Sequence, residues 1–131
     1  MSTVLLIEDD AWLAEIEAQV LREAGYTVEV APHGFSAMDK LDTYRPEVII
    51  LDVLLTGSTA FSFLNELRSH GDIGTIPIIL CTNIAEQFKA HHLREYGVRR
   101  IVDKVTMHPD DLAVAVRSVL SDDEFEKGGV S

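Results

Sequence analysis

Acidic residues follow two apolar runs at positions where they could bind a divalent cation. Glu8, Asp9 and Asp10 come directly after the apolar run 4–7, and Asp52 ends a second apolar run. Carboxylates at the ends of buried strands are costly to bring together unless a cation lies between them. Mg²⁺ prefers such oxygen ligands and keeps coordination positions open for a phosphoryl group. The sequence therefore predicts an acidic, phosphate-handling pocket that binds Mg²⁺.

Strand-like apolar runs alternate with amphipathic, helix-like stretches along the chain. This alternation predicts an α/β fold, a doubly wound (βα)5 sandwich around a five-stranded parallel sheet. The predicted strands cover residues 3–7, 27–31, 47–51, 77–81 and 99–102, and the predicted helices begin near residues 10, 35, 58, 85 and 109. The first helix is expected to pack on the sheet through four residues at helical spacing, Leu13, Ile16, Val20 and Ala24.

Five polar residues are predicted to meet at one edge of this sheet, because ligands of doubly wound sheets bind beyond the carboxyl ends of the strands. Glu8, Asp9 and Asp52 fall there, and Thr82 and Lys104 follow the fourth and fifth strands. Asp52 is the best nucleophile candidate, since a carboxylate that attacks a phosphoryl group forms an aspartyl phosphate. Asp9 and Asp52 are expected to bind Mg²⁺ directly, and Glu8 through water. Lys104 would supply a positive charge to the phosphoryl oxygens, and Thr82 a hydroxyl donor.

Composition and charge narrow the class of protein. With 131 residues, 47% of them hydrophobic, the chain can bury one core; we expect one domain at residues 1–121 and an acidic, flexible tail at 122–131. The formal charge of −11 argues against direct contact with nucleic acid. The single cysteine, Cys81, is expected to be buried and unpaired, which fits the cytoplasm. Because Glu8 interrupts the N-terminal apolar run, neither a signal peptide nor a membrane span is predicted.

The order and spacing of Glu8-Asp9, Asp52, Thr82 and Lys104 resemble the receiver domain of two-component response regulators, over about residues 2–121. The resemblance implies a flavodoxin-like strand order, 2-1-3-4-5. It also implies that a sensor histidine kinase or a histidine phosphotransfer protein phosphorylates Asp52. The implied Mg²⁺ ligands are Glu8, Asp9, Asp52 and the backbone carbonyl of Leu54.

The same resemblance implies a signalling switch rather than an enzyme, with chemistry limited to self-phosphotransfer and autodephosphorylation at Asp52. Phosphorylation would change an output surface, which we define as the fourth predicted helix, the fifth strand and the fifth predicted helix. This surface would bind an unidentified downstream protein or output domain, or form a homodimer. No output domain follows in the sequence, so the chain is interpreted as a stand-alone or truncated receiver.

Three positions depart from the family pattern and keep an alternative open. Asn83 stands where a small residue is usual, Ile101 where an aromatic residue is usual, and Val105 where proline is usual. They favour, as the alternative, a receiver-like protein-binding module that acts without phosphorylation. Two other classes fit less well: a haloacid dehalogenase needs a second acid where Leu54 stands, and a flavodoxin needs a phosphate loop where residues 8–10 are acidic.

Overall fold

A five-stranded parallel sheet forms the centre of the protein in the computed structural model, which describes residues 2–52, 57–83 and 93–127. The strands are β1 (Thr3–Ile7), β2 (Thr27–Ala31), β3 (Val48–Asp52), β4 (Ile78–Thr82) and β5 (Val98–Asp103). Neighbouring strands are parallel, and their order is β2-β1-β3-β4-β5. The predicted fold class and strand order are confirmed, and each strand begins and ends within one residue of its prediction.

Four α-helices flank the sheet in the described part of the chain. They are α1 (Ala11–Glu23), α2 (Gly34–Leu41), α3 (Gly57–Arg68) and α4 (Asp110–Lys127). Helix α4 is the fifth predicted helix, and it continues past the predicted domain boundary at residue 121. The boundary and the tail remain predictions, and residues 128–131 lie outside the described residues. Most of the fourth predicted helix, residues 85–96, is outside them too, apart from a short 3₁₀ turn at Arg94–Tyr96.

The two faces of the sheet carry separate cores because successive side chains of a strand point to opposite faces. Leu5 and Ile7 of β1 pack with residues of α2 and α3. Val4 and Leu6 pack with residues of α1 and α4. The central strands β3 and β4 are buried along their whole length, as their continuous apolar runs predict. Cys81 in β4 is buried and unpaired, also as predicted.

Helix α1 packs on the sheet through a face other than the predicted one. Its buried residues are Ala14, Glu17, Ala18 and Leu21. The expected residues Leu13, Ile16 and Val20 are only half-buried, and Ala24 is exposed. The large apolar side chains therefore flank the contact, while small residues and one glutamate form its centre. Small side chains let the helix axis lie closer to the sheet.

Asp10 caps helix α1, as a polar residue before an amphipathic stretch predicts. Its Oδ1 accepts a hydrogen bond from the backbone N–H of Leu13 at 3.0 Å. We expect Asp10→Ala to lower the free energy of unfolding by about 1 kcal/mol, measured by urea denaturation in EDTA. Asp42→Ala is the control, because Asp42 is exposed and its side chain makes no hydrogen bond or ion pair with the described residues. An equal loss in both variants would contradict the capping role.

Candidate functional site

Asp52 is fully buried at the carboxyl end of β3, in the middle of the sheet. The alternation of side chains along β3 turns Asp52 to the same face as Ile50, which is the face that α1 and α4 cover. Glu8, the residue after β1, follows Leu6 by two positions and turns to this face for the same reason. Glu8 is 2% exposed. The two acids therefore meet under α1 at the carboxyl edge of the sheet.

Lys104 neutralises part of this buried charge. Its Nζ lies 2.6 Å from Oδ1 of Asp52 and 3.7 Å from Oε2 of Glu8. Burial lowers the pKa of Lys104, but its hydrogen bond to Asp52 and the charge of Asp52 outweigh burial, so that the pKa is raised. The ammonium group therefore stays protonated beside Asp52. For Glu8, burial raises the pKa, and the charge of Asp52 raises it further, against the hydrogen bond from the N–H of Asp10.

Glu17 is a third acid in this pocket, and the sequence analysis did not identify it. One carboxylate oxygen from each of Glu8, Glu17 and Asp52 lies within 4.8 Å of the others. Glu17 is 1% exposed, and burial raises its pKa, with further increases from its side-chain hydrogen bond with Asp52 and from the charges of Asp52 and Glu8. The sequence does contain a signal for Glu17. It is one helical turn from Ala14 and from Leu21, so the three residues share one face of the helix.

Asp9 lies at the solvent-exposed side of this group, next to Glu8. Its side chain is exposed and lines a cavity with Ile7 and Leu51, which belong to the core under α2 and α3. Consecutive side chains leave a strand in opposite directions, but the carboxyl group of Asp9 stays within hydrogen-bonding reach of Glu8 and helps to raise the pKa of Glu8. The sequence analysis paired Asp9 directly with Asp52, whereas the acids with an oxygen within 4.8 Å of Asp52 and of each other are Glu8 and Glu17. Asp9 as a metal ligand stays a prediction.

Thr82 ends β4 at the same edge of the sheet. It is buried, and it follows Cys81, the residue of β4 that is paired in register with Asp52. The carbonyl oxygen of Thr82 accepts a hydrogen bond from the N–H of Lys104 at 2.9 Å. This bond fixes the backbone of Lys104 next to the end of β4.

The backbone carbonyl of Leu54, the last of the four predicted Mg²⁺ ligands, lies outside the described residues.

The loop after β5 is closed by Asp103. Its Oδ1 accepts a hydrogen bond from the N–H of Val105 at 2.9 Å, and its carbonyl oxygen accepts one from the N–H of Met107 at 3.0 Å. Proline at position 105 would lack the first of these donors. The Lys104–Val105 bond is trans, and Val105 itself is exposed. The loop thus leaves the site through an aspartate-capped turn.

A parallel, doubly wound sheet with buried acids and one lysine at its carboxyl edge defines an α/β protein with an acidic pocket at the switch point of the sheet. The chain belongs to the response regulator receiver domain family, whose sequence profile matches residues 4–117. The resemblance predicted from the motif residues is therefore confirmed. Receiver domains are signalling switches of two-component systems.

Individual relatives agree with this membership. The response regulator MprA of Mycobacterium sp. (strain KMS) is 33% identical over 79 residues, which are 60% of this chain and 34% of MprA. The transcription factor SKN7 of Saccharomyces cerevisiae is 32% identical over 118 residues, 87% of this chain and 18% of SKN7. The chain thus spans about a third or less of the length of these relatives.

A solved structure of similar fold is the chemotaxis response regulator CheY4 of Vibrio cholerae. It superposes with a TM-score of 0.78 at 28% identity, over 91% of this chain and 98% of CheY4. Within the ranges that the structure describes, no helix combines the length and the apolar character needed to cross a membrane.

Proposed function

We propose that this receiver domain accepts a phosphoryl group on Asp52 from a sensor histidine kinase or a histidine phosphotransfer protein. The observation that carries the proposal is the 2.6 Å contact between Nζ of Lys104 and Oδ1 of Asp52 in a buried acidic pocket. The other oxygen of Asp52, Oδ2, has no hydrogen-bond donor among the described residues. A carboxylate held on one side and open on the other can attack phosphorus.

Transfer to Asp52 depends on positioning and on positive charge at the phosphoryl oxygens. A P–O bond to Asp52 forms while the P–N bond of the donor phosphohistidine breaks, and the electron pair of the P–N bond stays on the imidazole nitrogen. Lys104 would move its ammonium group from the carboxylate to a phosphoryl oxygen. The hydroxyl of Thr82 would donate a hydrogen bond to another phosphoryl oxygen.

The pocket fits Mg²⁺. Oε2 of Glu8 and Oδ2 of Asp52 are buried and accept no hydrogen bond from the described residues, and carboxylate oxygens are the ligands that Mg²⁺ prefers. Glu8 and Asp52 would hold the ion, with Asp9 and the backbone carbonyl of Leu54 as further proposed ligands. The bound ion would supply charge that offsets the repulsion between the phosphoryl group and the acids.

The output surface is proposed to bind a downstream protein or output domain, or a second copy of the chain. Two of its parts are described, β5 and α4, and they are linked by Arg100, whose guanidinium binds Ser118 and Asp122. Ile101 of β5 is half-buried against the core that includes α3, and Val114 of α4 is exposed. We place the domain in the cytoplasm and expect no direct contact with nucleic acid, because of its charge of −11.

The test is intact mass after incubation with Mg²⁺ and acetyl phosphate. The native chain should gain one phosphoryl group, and the gain should disappear in EDTA and in Asp52→Asn. Asp42→Asn is the control, because Asp42 is an exposed aspartate outside the pocket. A gain that persists in Asp52→Asn would refute Asp52 as the acceptor. No gain from either acetyl phosphate or a phosphohistidine donor protein would favour the phosphorylation-independent module.

A further inference from the structure

Glu17 is an acid in the centre of a helix face that otherwise packs on the sheet. It is 1% exposed, and its neighbours on this face are Ala14, Ala18 and Leu21. Burying a carboxylate costs several kcal/mol unless it is paired or binds a metal, so an acid here calls for a compensating group. An apolar side chain of similar volume would pack at this position without that cost.

No compensating donor is present in the part of the chain that the structure describes. Both carboxylate oxygens of Glu17 are buried and accept no hydrogen bond there. Lys104 is the cation of the pocket, and its contacts go to Asp52 and Glu8. When ionised, Glu8, Glu17 and Asp52 carry three negative charges against one ammonium group. The excess equals the charge of one divalent cation.

The distances between the oxygens also suit one cation. An oxygen from each of Glu8, Glu17 and Asp52 lies within 4.8 Å of the other two. Oxygens that bind the same Mg²⁺ or Ca²⁺ at about 2.0 to 2.6 Å are separated by about 3 to 5 Å. The unpartnered oxygens of Glu17 are therefore directed at the group that the proposed metal would join.

We propose that Glu17 is an additional ligand of the divalent cation in this pocket, beside Glu8 and Asp52. The proposal rests on the proposed metal-dependent function and adds a ligand from α1 to the four predicted ones, which all follow β1 or β3. Mg²⁺ usually keeps several waters and binds one or two protein carboxylates. A further carboxylate replaces one of these waters and strengthens the binding of the cation.

If Glu17 is not a ligand, its removal should affect metal binding in the opposite direction. If Glu17 served only as a neutral acid that donates a hydrogen bond to Asp52, it would compete with the cation for the oxygens of Asp52. Removing Glu17 would then tighten metal binding or leave it unchanged. The sign of the effect on affinity therefore distinguishes a ligand from a competitor.

The experiment is a titration of the full chain with Mn²⁺, in which electron paramagnetic resonance measures the free ion, followed by competition with Mg²⁺. Glu17→Gln removes the charge at nearly constant shape, and Glu17→Met is a second variant that fills the buried site. Glu15→Gln is the matched control, since it removes the same charge from the exposed face of α1. Thermal melts in EDTA verify that each variant is folded.

We expect both Glu17 variants to bind Mn²⁺ and Mg²⁺ at least about tenfold more weakly than the native chain, and Glu15→Gln to bind as the native chain does. Equal or tighter binding by both Glu17 variants would overturn the proposal, as would a native chain that binds neither ion. This readout is independent of phosphoryl transfer. The mass measurement on Asp52→Asn decides the proposed function separately, so either proposal can fail while the other stands.

Discussion

Lys104→Met should slow the phosphorylation of Asp52 by acetyl phosphate about 100-fold or more, because it removes the ammonium charge that lies beside Asp52 and would stabilise the phosphoryl oxygens. The methionine side chain keeps most of the length and packing of lysine without its charge. The same change should tighten Mg²⁺ binding. Nζ of Lys104 occupies the region between Asp52 and Glu8, at 2.6 Å and 3.7 Å, and its positive charge opposes a second cation there.

This prediction is specific because the phosphorylation rate should fall while the Mg²⁺ affinity rises. The initial rate of phosphoryl mass gain reports the transfer step, and a Mg²⁺ titration of the unphosphorylated chain reports metal affinity. Lys104→Arg is the matched control, because it keeps the charge but not the point-like ammonium geometry. In Lys104→Arg, the Mg²⁺ affinity should lie closer to that of the native chain than the phosphorylation rate does. A Lys104→Met variant with an unchanged rate would remove Lys104 from the mechanism.

The strands and the edge of the sheet could be predicted from the sequence because each depends on local pattern. The apolar runs that end at Ile7 and Asp52 fix where the strands stop, and the parallel order of a doubly wound sheet brings those ends together. The spacing of Thr82 and Lys104 follows from the same rule. Their approach to Asp52 therefore required no knowledge of helix packing.

Helix packing is the part that the sequence did not reveal. The helical spacing of Leu13, Ile16, Val20 and Ala24 predicted one face of α1, whereas the buried face carries Ala14, Ala18 and Leu21. That rotation depends on how closely the helix can approach the sheet, which is a tertiary property. Glu17 escaped notice because only apolar residues were considered for the packed face, although Glu17 lies one turn from both Leu13 and Val20. The alternation of side chains beyond Ile7 turns Glu8 to the face of Asp52, and the assignment of Asp9 as a direct metal ligand stays a prediction.

The metal-free domain should lose stability as the pH rises from about 5 to about 8. Burial raises the pKa of Glu8 from its usual value of 4.5 to about 8, and burial together with the neighbouring acids raises that of Glu17. Between these limits the folded state holds protons that the unfolded state has released, so increasing pH favours unfolding. The free energy of unfolding should fall by up to about 1.4 kcal/mol per pH unit for each carboxyl group affected.

The variant Glu17→Met tests whether Glu17 causes this decrease of the free energy of unfolding with pH. Replacing a buried acid by an apolar side chain of similar volume should reduce the pH dependence in EDTA and raise the free energy of unfolding at pH 8 by about 1 to 4 kcal/mol. Glu15→Met, on the exposed face of α1, should change neither quantity. Urea denaturation from pH 5 to pH 8 measures both.

Saturating Mg²⁺ should reduce the pH dependence of the free energy of unfolding in the native chain, because a bound cation stabilises the ionised carboxylates of the folded state. If Glu17→Met has the same pH dependence of unfolding free energy as the native chain in EDTA, groups other than Glu17 determine it.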